Sequence, residues 1–147
     1  ANYGYLDAEY DGFVADINGD GIATDNDSLT PINTPENTFG VATTYVWEIG
    51  NGNLSGNVSY HWRDEIETIL APSASAPGVN DALGSQDSLE SLSANLSYTW
   101  NDRYRVSVYG TNLTDDTQRA VSRIGGLATR GWYNEGRTYG MELSASF

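Results

Sequence analysis

The stretch Asp16-Ile17-Asn18-Gly19-Asp20-Gly21-Ile22-Ala23-Thr24-Asp25-Asn26-Asp27 sets oxygen-bearing side chains at alternate positions around a glycine. Ca²⁺ takes about six to eight hard oxygens, and alternate residues of a tight loop converge on one point. The stretch fits the D-x-[DN]-x-[DN]-G start of a calcium loop, with an acid at the twelfth position. The candidate ligands are Asp16, Asn18, Asp20, the carbonyl of Ile22, Thr24 and Asp27. Asp27 stands where the pattern usually has Glu, whose longer arm gives the bidentate contact. Calcium is expected here as a structural clamp on the loop rather than a catalytic ion. The simpler alternative is an acidic, solvated loop without metal.

Other chemistries are weaker. Asp7, Glu9 and Asp11 alternate, and a carboxylate pair could serve glycoside hydrolysis. On a polar strand face such residues are simply lumen residues in water, which is the preferred reading. His61 is the single histidine, and one His builds no Ser/His/Asp relay without partners. Gly125-Gly126 is a bare pair, not a phosphate-cradling loop. Arg119, Arg123, Arg130 and Arg137 lie near Trp132 and Tyr133. They could meet an anionic or carbohydrate ligand, but balancing the acids of neighbouring loops is the simpler role. No catalytic residue is expected, and the chain is not read as an enzyme.

Composition narrows the class. The hydrophobic fraction is 39% and the mean hydropathy −0.45, too low for a thick buried core. Ten Tyr, four Trp and sixteen Gly accompany it. Transmembrane barrels look like this, because half of every strand faces water. No apolar run is long enough for a membrane helix. The net charge of −13 and the absence of Lys exclude a phosphate-neutralising nucleic-acid binder. Without Cys there is no disulfide framework. The chain opens on Ala1 in mid-pattern, and is expected to be a processed or excerpted piece of something longer.

Period-two alternation predicts about six strands, over residues 2–14, 38–49, 54–66, 88–100, 103–111 and 138–147. In the last, Tyr139, Met141, Leu143, Ala145 and Phe147 share one face, against Gly140, Glu142, Ser144 and Ser146. In the fourth, Leu92, Ala94, Leu96, Tyr98 and Trp100 oppose Ser91, Ser93, Asn95 and Ser97. The expected fold is all-β, an antiparallel up-and-down meander forming part of a transmembrane β-barrel.

Connections alternate in length. Gly50-Asn51-Gly52 and Asn101-Asp102 are short and carry hairpin chemistry. Residues 15–37, 67–87 and 112–137 make long connections. In a meander this puts short turns at one end and long loops at the other, the polarity of outer-membrane barrels. Aromatics are expected in two girdles: Trp47, Trp100, Tyr104 and Phe147 near the short turns, and Tyr10, Phe39, Trp62 and Tyr139 near the long loops.

Several stretches resemble the carboxyl-terminal part of a TonB-dependent outer-membrane receptor. They are Gly4-Tyr5-Leu6-Asp7-Ala8-Glu9-Tyr10, Asn33-Thr34-Pro35-Glu36-Asn37-Thr38 and Tyr98-Thr99-Trp100-Asn101-Asp102. Tyr109-Gly110-Thr111-Asn112-Leu113-Thr114-Asp115 and the run from Arg137 to Phe147 complete the likeness, which spans nearly the whole of residues 1–147. It implies a segment of a plugged 22-stranded barrel, without the plug domain or the TonB-contacting motif. Phe147 would then end an outer-membrane assembly signal.

Two functions compete on this reading. The first is transport: barrel wall and extracellular loops of an outer-membrane importer for a scarce nutrient such as a siderophore, cobalamin or an oligosaccharide. Its partners would be the remaining barrel strands, the plug, outer-membrane lipid and, through a missing segment, TonB. The second is structural, an extracellular β-protein that self-assembles with copies of itself through open edge strands, stiffened by calcium. A soluble calcium-binding sandwich explains the loop polarity poorly.

Overall fold

The computed structural model describes residues 1–17, 20–70, 84–125 and 128–147, with the backbone alone for 120–125 and 128–130. Twelve strands form: β1 Asn2–Tyr5, β2 Val14–Ala15, β3 Thr24–Asp25, β4 Asn37–Ile49, β5 Gly52–Arg63, β6 Ile66–Glu67, β7 Ser85–Gln86, β8 Leu89–Trp100, β9 Tyr104–Thr111, β10 Arg119–Gly125, β11 Ala128–Tyr133 and β12 Thr138–Ala145. Six make one antiparallel sheet in the order β1-β4-β5-β8-β9-β12. Each neighbour follows the last along the chain, so the sheet is an up-and-down meander. The remaining strands form the hairpins β2–β3, β6–β7 and β10–β11 within the long connections. Among the described residues no helix is long and apolar enough to cross a membrane, which bears only on helices.

Register carries the alternation across the sheet. One row reads Tyr45, Gly56, Leu96, Val108 and Met141; the next reads Trp47, Leu54, Tyr98, Val106 and Leu143. The intervening row, on the other face, reads Val46, Ser55, Ser97, Ser107 and Glu142. Beside it lie Thr44, Asn57, Asn95, Tyr109 and Gly140. Because side chains of a strand alternate strictly, one face is mainly apolar from β4 to β12 and the other mainly polar, with Val46, Leu89 and Tyr109 as its large apolar members.

No described residue covers the apolar face. Among the described residues no hydrophobic side chain is buried, and Tyr45 (59%), Met141 (65%) and Leu143 (69%) stand open. A soluble sandwich would cover such a face with a second sheet about 10 Å away. Here the sheet is a single layer.

The first strand is shorter than its alternation suggests. The Leu6 amide still bonds the Glu36 carbonyl, but the partner strand β4 begins only at Asn37, so the ladder runs out of partner beyond this pair. The chain leaves the sheet there. Asp7, Glu9 and Asp11 therefore lie in an irregular, exposed stretch rather than on a strand face. Tyr10 leaves the sheet with them and packs on Phe13, ring centroids 4.8 Å apart.

Candidate functional site

The two ends of the sheet differ in construction. At one end β4 and β5 are joined through Gly50 and Asn51, with Gly50 at φ 63°, the first-position glycine of a type II′ turn. Between β8 and β9, Asn101 (φ 53°) and Asp102 (φ 51°) take the left-handed conformation that Asn and Asp tolerate. The turns touch: Asn51 Nδ2 donates to Asn101 Oδ1 at 2.6 Å. Tyr98, Trp100 and Tyr104 stack beside them, at 5.8 and 5.5 Å.

At the other end the long connections tie to one another. The Asn33 amide donates to the Glu67 carbonyl at 2.8 Å, bridging the first and second. Gln118 Nε2 donates to the Ser88 carbonyl at 2.5 Å, Gln86 Nε2 donates to the Arg119 carbonyl, and the Glu90 amide donates to Asp116 at 2.8 Å. These join the second to the third. Asn112 closes the base of the third, its Nδ2 donating to the carbonyls of Asp116 and Glu135 at 3.0 Å each. Arg137 lies against Asp115 at 3.5 Å. The register sets Arg123 opposite Arg130.

The acidic first connection folds around its own backbone. Asp16 Oδ1 accepts the Asp20 amide at 3.1 Å and Oδ2 the Gly21 amide at 2.8 Å. Asp20 Oδ1 accepts the Ile22 amide at 2.7 Å, and Gly21 sits at φ 88°. That is the tight turn a calcium loop needs. Asn18 lies outside the described residues. Thr24 belongs to β3, and Asn26, only 6% exposed, braces the β2–β3 hairpin through the carbonyls of Ala15 and Thr24. Asp27 turns its carboxylate to the amides of Gly12 and Phe13, at 3.1 and 2.6 Å. Asp16, Asp20 and Ile22 thus fit the first half of a cation loop, while Asp27 is already engaged. Among the described residues no three acidic or histidine side chains converge on a metal position.

On the polar face, Arg105 lies flat across its neighbours, its guanidinium donating to Ser97 and Ser107 at 3.2 Å each. Both serines are nearly closed to water. His61 shares this face, opposite Gly40 and Ser91, and no carboxylate bonds to it among the described residues. His61 follows the strand's alternation, whereas the Arg105 bridge needs cross-strand register, which no local pattern reveals.

No protein-family model matches the chain, and no curated protein matches its sequence. Among solved structures, the ferric yersiniabactin uptake receptor FyuA from Yersinia pestis superposes with a TM-score of 0.62 at 21% identity, over 79% of this chain. The chain spans 17% of that receptor's length. At this identity the likeness is one of fold: the six-stranded meander has the form of part of a receptor barrel.

Proposed function

We propose that this chain forms wall strands and loops of an outer-membrane transporter barrel of the TonB-dependent type, importing a scarce nutrient such as a siderophore, cobalamin or an oligosaccharide. The observation that carries the reading is the single-layer sheet, with an uncovered apolar face and an orderly polar face. Hydrocarbon outside and water inside is the environment such a sheet suits. β5 and β8, each 12 residues long, are long enough to cross a bilayer at barrel tilt. The receptor fold likeness adds support.

On this reading the linked long connections face the exterior and the Asn51/Asn101 turns the periplasm. The wall positions substrate and performs no bond chemistry. The polar face would meet a plug. The outer edges of β1 and β12 would pair with the remaining barrel strands. Calcium is proposed for the first loop through Asp16, Asn18, Asp20 and the Ile22 carbonyl, with Asp27 retained by Gly12 and Phe13.

The test is the mass and composition of the particle carrying these residues after mild extraction from its membrane. A chain several-fold larger that includes a plug supports the reading. A dominant chain mass near 15.9 kDa contradicts it and favours edge-to-edge self-assembly.

A further inference from the structure

We propose that Asn51, in the turn between β4 and β5, is a site of spontaneous deamidation whose rate is set by Asn101 in the neighbouring turn. Asn51 is exposed and precedes Gly52. Among the described residues no other asparagine precedes a glycine. Glycine carries no Cβ to shield its amide, so the Gly52 nitrogen can close a five-membered ring on the Asn51 side chain. The glycine is also obligatory: a Cβ there would collide with the Thr99 carbonyl oxygen and lie 3.0 Å from Trp100 Cα. Close packing of β5 against β8 thus keeps the reactive pair in place.

The step balances with water alone. Hydroxide takes the Gly52 amide proton, the nitrogen bonds to Asn51 Cγ, and the Cγ–Nδ2 bond breaks. Nδ2 takes a proton from water and leaves as ammonia. Water then opens the succinimide. Addition at Cγ gives aspartate at position 51; addition at the backbone carbonyl carbon gives isoaspartate. One water enters, one ammonia leaves and nothing is oxidised.

Asn101 opposes ring closure. Asn51 Nδ2 donates to Asn101 Oδ1 at 2.6 Å, and the Asn101 amide donates to the Asn51 carbonyl at 3.3 Å. These contacts hold Asn51 at its side chain and at its carbonyl. Donation from Nδ2 also strengthens amide resonance, which makes Cγ a poorer electrophile. The product acts on the same contact. A carboxylate at position 51 has no proton to share with Asn101 Oδ1, so the Asn101 side chain must flip to keep the bond. An isoaspartate adds a backbone carbon to a turn that closes the Ile49–Gly52 pair with two residues, and one end of the sheet loosens. The inference stands on the two turns and does not require transport.

The test uses the full protein in an uncharged maltoside detergent, aged at mildly alkaline pH beside a urea-unfolded sample. Cleavage after Glu48 and Glu65 releases residues 49–65, whose mass gain and isoaspartate content are followed. Conversion is expected in the folded protein, slower than in urea. Asn101→Gly keeps the left-handed backbone but removes the acceptor, and is expected to convert about fivefold faster, the equivalent of one net hydrogen bond. Asn101→Asp keeps an acceptor oxygen and is expected to stay as slow as the unsubstituted protein. The two variants separate this bond from general loosening of the turn. No conversion in either the folded protein or Asn101→Gly, while the urea sample converts, overturns the proposal. So do equal rates in Asn101→Gly and Asn101→Asp, which would leave the Asn101 acceptor no role.

Discussion

The side chain of Asn51 donates to Asn101 Oδ1 at 2.6 Å, and the Asn101 amide returns to the Asn51 carbonyl at 3.3 Å. Two hairpin turns 50 residues apart in sequence therefore sit side by side and fix one end of the sheet. Asn101 holds a left-handed backbone there. Asn101→Ala loses the side-chain bond and strains φ, and is expected to cost about 1–2 kcal/mol. Asn101→Gly relieves the strain and costs less. Urea unfolding of both variants in detergent, compared by midpoint, checks the order.

Tyr45 and Val46 are neighbours on β4 that face opposite ways, and both are exposed. Arginine at Tyr45 enters the apolar face, where a charge at the bilayer midplane costs about 2–4 kcal/mol. Arginine at Val46 meets the polar row with Ser55, Ser97 and Ser107 and is expected to be tolerated. Membrane-inserted yield of the two variants separates them.

Asn112, at φ 48° and 9% exposed, joins two carbonyls at the base of the last long connection. Asn112→Ala removes the donor to the Glu135 carbonyl, while the Asp116 carbonyl keeps Asn134 Nδ2 at 3.1 Å, and strains the backbone, with an expected loss of about 1–2 kcal/mol. Asn112→Gly keeps the backbone and should lose roughly half as much. Proteolysis within residues 112–137 reads the loosening.

In the first connection, Asp27→Ala frees the Gly12 and Phe13 amides and should increase their hydrogen exchange with or without calcium. Asp20→Ala should instead abolish calcium binding, expected in the weak class of about 10⁻⁴–10⁻³ M. Equal loss of calcium in both variants would mean that Asp27 is a ligand after all.

The long strands were legible because alternation is a local signal: Leu92 to Trp100 and Tyr139 to Ala145 keep their period through the whole element. The exit of the chain after Tyr5 was not legible from its own residues. Asp7, Glu9 and Asp11 continue the alternation, and the cause, the start of the partner strand β4 only at Asn37, lies elsewhere in the chain. The β10–β11 hairpin was missed for a related reason. Its pairing, with Val121 opposite Trp132 and an irregularity before Val121, joins residues among mixed Arg, Gly and Ser without a clean period. The acidic loop was half legible. The turn at Asp16, Asp20 and Gly21 follows from the motif, whereas Asp27's turn toward Gly12 depends on a hairpin only two residues deep.

The chain has no native cysteine, so single cysteines carrying a spin label report each position separately in lipid vesicles. Labels at Tyr45, Leu96, Val108 and Met141 should collide with oxygen dissolved in the hydrocarbon and be shielded from a water-soluble relaxation agent. Labels at Thr44, Asn57 and Glu142 should show the reverse. If the first set is shielded from both reagents, those side chains pack against protein rather than lipid, and the membrane-wall account is wrong.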